Sequence, residues 1–500
     1  MRKPARDNPW ATGSPVPEAN DDQDDRVNAT AEKLKDLQTA SNAAHTDIQT
    51  SKASQQKYSL TSDEREGDYD LPKLGKPAAR YFNFKPGYLN LNNGSYGACP
   101  QPVMEYVKQL LDQQEETPDN WRYNVMGDLV DEAKASIAKI VNAEPETIAL
   151  IQNASTGTNA VLRDMIFKDG DAILTLSCTY GAVNKTIDYV LENERLRGIN
   201  VTNEVVSITL PCKHEDMLAK LRESIASVKK AGKKIRIGVV DTIFSRPGVR
   251  LPWEEMVAIL RENGILSLVD GAHGIGAIPI DLKKADPDFF VSNCHKWLYA
   301  HRSNAFLYVP LRNRHIQRSG MPTSFCFTPN ATSENNTWSQ QWMLNGTTDM
   351  SVALSVQAAI QFRQKLGGEA RIMNYNHDLA VRGGEEAAKI LGTSVMDNED
   401  HSLTASMVNI RLPIISSRIA NGNTQDPVAF EKWAQKAESW FFKSLFEEFK
   451  CAAPVFAHDG KIWVRMSAQI WLDIDDFKYC ARALLDLCKR INEGQVTDLK

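Results

Sequence analysis

The sequence predicts an α/β fold: a large domain on a mostly parallel, mixed sheet, followed by a smaller α+β C-terminal domain. Three observations predict it. Short apolar strands alternate with amphipathic helices from about Pro102 to Leu354, which is the pattern of a sheet covered on both faces. Polar residues directly follow those strands, where open α/β sheets place their ligands. Beyond Leu354, helices and strands continue in a shorter C-terminal stretch with no visible repeat.

In order, the expected strands are TIALIQN, AILTLSC, EVVSITL, IRIGVVDT, ILSLVDG, DFFVSN and AFLYVP. HEDMLAKLRESIASVKKAG and WEEMVAILREN lie between them and are apolar at helical spacing. SVALSVQAAIQFRQKLGG reads as a long helix leading into the smaller domain, which carries helices RGGEEAAKIL and FEKWAQKAESWFFKSLFEEF and strands ASMVNIRLPI and KIWVRMSAQI. The expected divisions are a tail at 1–78, the large domain with its lead segment at 79–354, and the small domain at 355–500. The tail is nearly free of large apolar residues, so it cannot bury enough surface to offset its ordering entropy and is expected to be disordered. A weak helix over Ala31–Leu37, or a partner-binding role for the tail, is the alternative.

A chain of 500 residues has room for two or more domains. Its 58 Lys and Arg against 63 Asp and Glu give a net charge of −5, which is no footprint for nucleic acid. No apolar run approaches the roughly 18 residues of a membrane span, and the N-terminus has no apolar h-region, so neither a membrane protein nor a secreted one is expected. Eight scattered cysteines form no CxxC pair or metal-ligand spacing, which points to a reducing, cytoplasmic compartment and no metal.

The chemistry gathers around VSNCHKWLYA, where Lys296 ends an apolar strand and does not lie on a polar helix face. After TIALIQN, the turn into ASTGTNAVLRDMIF lets Ser155 cap a helix whose N-terminus is either a phosphate site or a plain cap. Asp270 ends ILSLVD, and a carboxylate there needs a partner: loop amides or a protonated pyridine nitrogen. His273 follows as a donor to a cofactor oxygen or a loop histidine, Tyr180 follows AILTLSC as a ring stacker, and Ser245 follows IRIGVVDT. Together they supply a phosphate cradle, a flat ring, a carboxylate and an amine, the parts that pyridoxal 5'-phosphate requires.

VDGAHGIG followed by SNCHKW resembles the class V aminotransferase-fold enzymes, the group with cysteine desulfurases and isopenicillin N epimerase-like proteins. The resemblance covers about residues 85–490 and includes LNNGSYG, LIQNASTGTNAVL, TYGAVNKTIDYV, PGVRLPWE, LNGTTDMS and VRMSAQIW. It implies the type I fold of pyridoxal-phosphate-dependent transferases, in the fungal-type branch with hercynylcysteine sulfoxide lyase of ergothioneine biosynthesis. It also implies that Lys296 carries the cofactor, Asp270 pairs with the pyridine nitrogen and His273 sits near the ring hydroxyl. Ser155, Thr156 and His295 would bind phosphate, and Tyr180 would cover the ring and serve in proton transfer. Thr347 would reach the phosphate of a neighbouring subunit in a homodimer with composite sites. Arg465 would hold the carboxylate of an amino acid substrate, a task that suits a guanidinium's two parallel donors, although its sequence context alone favours an ion pair.

Three positions depart from the branch. LYAHRS replaces LFTPRG after CHKW, which changes a loop close to the lysine and could let His301 enter the site; Asn93 stands for a histidine near the substrate; His273 stands for glutamine. The expected activity is a lyase acting on an amino acid, by Cβ elimination or Cα–Cβ cleavage, in specialised metabolism. The alternatives are an epimerase or aminotransferase, hercynylcysteine sulfoxide lyase itself, and a non-catalytic binding protein.

Overall fold

The structure, a computed structural model, describes residues 71–500 except 324–325, 331–336, 339, 343–345, 424–425, 497–498 and 500. Most of the tail, with the helix expected over Ala31–Leu37, lies outside the described residues. Its last part does not: Gly75 N–H donates to the Ile470 carbonyl at 2.7 Å, Lys76 pairs with Asp476, and Ala78 is buried. The chain is therefore built into the fold from residue 71, not 79.

Helices α1 (Gln101–Glu116) and α2 (Met126–Val141) precede strand β1 (Ile148–Ile151) and helix α3 (Ala154–Asp164). There follow β2 (Asp171–Leu176), α4 (Gly181–Leu196), β3 (Thr202–Val206), α5 (His214–Lys230), β4 (Lys234–Asp241) and α6 (Trp253–Glu262). Then come β5 (Leu266–Asp270), β6 (Phe289–Asn293), the single turn α7 (Cys294–Trp297) and β7 (Ala305–Tyr308). These seven strands form one sheet in the order β1-β7-β6-β5-β4-β2-β3, parallel except for β7, which is antiparallel to both neighbours. β2, β6 and β7 are buried along their whole length, which is why they read as continuous apolar runs and not as alternation. β3, at the sheet edge, is half open and stops at Val206, short of the expected EVVSITL.

The second part begins with α8 (Ser351–Lys365) and α9 (Gly368–Leu391), then β8 (Met407–Arg411), α10 (Pro427–Phe449), β9 (Val455–His458), β10 (Lys461–Ser467) and α11 (Ile474–Asn492). Its antiparallel sheet runs β9-β10-β8. The expected boundary at residue 354 falls on Leu354, fully buried inside the continuous α8. The lead segment also joins this second part: Leu89–Asn90 pairs with Cys451–Ala452, and Ser467 N–H donates to the Leu91 carbonyl at 2.7 Å. One apolar cluster runs through both sheets, from Ile148 and Val269 to Val464 and Leu484.

Candidate active site

The C-terminal ends of β2, β4, β5 and β6 open on a cavity of about 160 Å³. Ser155, Tyr180, Ser245, Asp270, His273, His295 and Lys296 all line it, so seven side chains expected from scattered segments share one site. The parallel strands dictate this, because every β-to-α turn leaves the sheet on the same edge.

Lys296 sits on α7, directly after β6. It is enclosed in the fold and faces the cavity, and burial pushes its pKa down to about 7, against a smaller raising effect of Asp270. Its Nζ is 3.1 Å from His273 Nε2, and the Trp297 indole N–H donates to His273 Nδ1 at 3.2 Å. His273 is 2% exposed, and burial, then the Lys296 and Arg465 charges, hold its pKa well below the usual histidine range. His295 Nδ1 lies 3.0 Å from the Asn304 carbonyl, an acceptor, so the ring proton sits on Nδ1. Burial lowers the His295 pKa to about 4, so Nε2 bears a lone pair until an anion arrives beside it.

Asp270 accepts from Ala272 N–H at 2.9 Å, and burial raises its pKa while Lys296 lowers it. Asp241 was not expected from the sequence. It stands beside Asp270 in the β4–β5 register, lines the same cavity, and leaves Oδ2 without a hydrogen bond. Burial, then the Asp270 charge, pushes its pKa well above the usual carboxylate range. The parallel endings VVD and LVD were the signal that would have found it.

At the start of α3, the expected cap is corrected. Asn153, not Ser155, caps the helix, accepting from Thr156 N–H at 2.9 Å and Thr156 Oγ1 at 3.2 Å. Asn293 takes Ala154 N–H at 2.8 Å. Ser155 is thereby left lining the cavity, whereas Thr156 lines a neighbouring apolar cavity with Ile151, Met321 and Trp342. Gly157 permits this fit, since a Cβ there would lie 2.6 Å from Val291 Cγ1 on β6.

Arg465, on β10, is 1% exposed. Its guanidinium donates to the Ser245 carbonyl at 2.5 Å and to Asn92 Oδ1 and Ser95 Oγ at 3.0 Å each; Nε has no partner, and no carboxylate pairs with it among the described residues. Burial, then the nearby Arg246 charge, lowers its pKa to about 9, so it stays cationic at neutral pH. The ion pair that its sequence context favoured is therefore not found.

Two expectations fail. Asn93 does not face substrate: Nδ2 donates to the Lys296 carbonyl at 2.8 Å and Oδ1 accepts from Ala98 N–H at 2.9 Å, so both ends of its amide are used to brace α7. Asn92 and Ser95, its neighbours in LNNGS, hold Arg465 instead. His301 does not enter the cavity; its Nδ1 lies 2.9 Å from the Arg302 carbonyl, while Tyr299 turns into the core and donates to Gln469 at 2.6 Å. Thr347 is exposed and lies outside the cavity of its own chain.

Pyridoxal 5'-phosphate fits this donor set. Lys296 offers the amine, Asp270 a buried carboxylate for a ring cation, His273 a nitrogen beside the amine, and Ser155 with the α3 N-terminus and His295 an anion site. Tyr180, 48% exposed at the head of α4, adds a flat side chain to the lining.

Comparison with known proteins agrees with the geometry. The chain is 34% identical over 446 residues to an L-cysteine desulfhydrase-like protein of Epichloe uncinata, covering 84% of this chain and 94% of that one. It is 29% identical over 416 residues to the hercynylcysteine sulfoxide lyase of Schizosaccharomyces pombe, covering 83% and 98%. In fold it matches the cystine C-S lyase C-DES, solved with cysteine persulfide, with a TM-score of 0.66 at 18% identity over 82% of this chain and 99% of that one. Residues 91–421 match the family "Aminotransferase class-V", and the chain belongs to that family as a pyridoxal-phosphate-dependent enzyme.

Proposed function

We propose that the protein is a pyridoxal-phosphate-dependent lyase that eliminates a leaving group, a sulfur group foremost, from Cβ of an amino acid. The observation that carries the amino acid substrate is Arg465, a buried cation that lacks a counter-anion among the described residues and is held beside the lysine cavity through Ser245 and Ser95. A buried unpaired charge is costly, and a substrate carboxylate is the partner that offsets that cost. Names of the relatives, a desulfhydrase-like protein and a sulfoxide lyase, support cleavage of a C–S bond.

Lys296, Asp270, His273, Ser155 and His295 would hold the cofactor. When bound, pyridoxal phosphate supplies an electron sink for negative charge developing at the substrate Cα. Arg465 fixes the carboxylate and thereby sets which Cα bond stands toward Lys296. With its pKa lowered to about 7, Lys296 Nζ is unprotonated in part of the molecules at neutral pH and would be the base for the Cα proton. Tyr180 lines the cavity and is half exposed, and it would pass a proton to a departing sulfur.

Incubation with L-cysteine, cysteine sulfoxides and β-hydroxy amino acids tests this. Pyruvate released in step with a sulfur product is expected. Glycine with an aldehyde would select Cα–Cβ cleavage instead, and a D-isomer or a need for a keto-acid acceptor would overturn the lyase.

We further propose a cytoplasmic homodimer serving specialised metabolism. Eight free cysteines support the reducing compartment. The exposed Thr347, next to an apolar cavity of about 460 Å³ lined by Ile151, Trp342 and Met350, supports a second copy there.

A further inference from the structure

We propose that Trp297 is a positioning residue whose indole N–H locks His273 in the Nε2–H tautomer, making His273 an obligatory donor toward Lys296 Nζ. The argument follows from which atoms can donate. An indole nitrogen only donates, and it lies 3.2 Å from His273 Nδ1, so Nδ1 must accept and carries no proton. The same contact excludes the imidazolium, which would set two N–H groups against each other. A neutral ring then has its proton on Nε2, and that N–H points at Lys296 Nζ, 3.1 Å away. A donor facing the nitrogen favours the amine, with its lone pair, over the ammonium, which has none.

Trp297 is itself held. It is 1% exposed, and its carbonyl accepts from Arg363 at 2.8 Å, a buried guanidinium paired with Glu369. Gly276, at φ +79, lets the loop close on it, since a Cβ there would lie 2.7 Å from the Trp297 carbonyl. The tautomer is thus fixed from behind the site by groups that never touch the reacting atoms. Other charges facing the pair are Asp270, which favours the ammonium, and Arg465, which opposes it; His295 lies close to His273 as well. None of these can select a tautomer, because none reaches Nδ1. The extension to the bound cofactor rests on the function proposed above: the same Nε2–H would donate to an oxygen substituent beside the carbon attached to Lys296.

Nitrogen NMR of the full chain labelled with ¹⁵N-histidine, with and without cofactor, reads this directly, the His273 signals being assigned by their loss in His273→Gln. Expected are an unprotonated Nδ1 and a protonated Nε2 in the wild type, with Nδ1 gaining proton in Trp297→Phe. A protonated Nδ1 in the wild type overturns the proposal without any variant. In parallel, the pH midpoint for attachment of pyridoxal phosphate to Lys296, followed by absorbance, is expected to rise by about one unit in Trp297→Phe, because a freed Nε2 can accept from the ammonium. An unmoved midpoint overturns it, and a rise counts for it only together with the proton gained at Nδ1, because water admitted by lost packing would also raise the amine's proton affinity. Absence of any attached-cofactor band in the wild type would instead sink the cofactor reading, and the nitrogen shifts would still decide the tautomer.

Discussion

At the residue scale, the site is defined by charges that lack the partners a folded protein normally provides. Arg465 has polar contacts but no carboxylate among the described residues, so its burial costs stability that the substrate proposed above would recover. Arg465→Met should therefore leave the melting temperature of the substrate-free protein unchanged or higher, while kcat/KM falls on the order of 100-fold or more, the scale of losing one buried charge pair. A sharp drop in melting temperature would show the arginine to be structural. Lys296 gives a second test. Its folded pKa of about 7 lies below its unfolded value of 10.5, so between those pH values the unfolded chain binds more protons. The cost of burying the ammonium is then full below pH 7 and relieved as pH rises toward 10.5. Cofactor-free protein should gain stability across that window relative to Lys296→Met, with a slope of up to about 1.4 kcal/mol per pH unit from this group. Equal pH dependence of the two proteins would contradict a depressed lysine.

At the element scale, the single turn α7 is clamped on several sides: Asn93 holds the Lys296 carbonyl, Arg363 the Trp297 carbonyl, and Asn304 the His295 ring and N–H. The loop that follows carries strain. Ser303 has φ +71, in the left-handed region, at the place where the branch has glycine. Ser303→Gly removes that strain but adds chain entropy to the unfolded state, for a net gain of about 0.5–1 kcal/mol in denaturant melts. Loss of stability in Ser303→Gly would mean that the serine side chain contributes more than its backbone costs. The chain preceding β1 and following β10 was less legible. DIDDFKYCARALLDLCKRIN, which forms α11, carries a capping box from Asp473 to Asp476 and apolar residues at helical spacing, so its signal was present. Val455–His458 is only four residues long and becomes a strand by pairing with β10, which local sequence does not encode.

At the scale of the whole molecule, one apolar cluster ties the cofactor sheet to the sheet bearing Arg465, so the Arg465 guanidinium and the Lys296 amine are set by the same core. Thr347, like Thr156 and Asn93, is an expected residue that does not line the lysine cavity of its own chain. If it serves a partner's site, chains carrying Lys296→Ala and chains carrying Thr347→Ala should each be impaired alone, and mixed dimers should recover activity, since one of their two sites is intact. Sedimentation as a single chain at assay concentration, or no recovery on mixing, would rule out composite sites.

The sequence by itself determined the alternation of strand and helix, and with it which residues end strands. Strand direction then put Ser155, Tyr180, Ser245, Asp270, His273 and Lys296 on one edge, because parallel strands share their C-terminal side. Tertiary structure alone decided what each polar group faces. The amide of Asn93 is used up in backbone bonds while Asn92 and Ser95 turn to Arg465, Asp241 lies against Asp270, and Trp297 donates to His273. Apart from Ala98 on Asn93, five positions along, those pairings join residues 24 to 373 positions apart. Hydrogen bonds reach about 3 Å and depend on direction, so they are set by packing and not by local propensity.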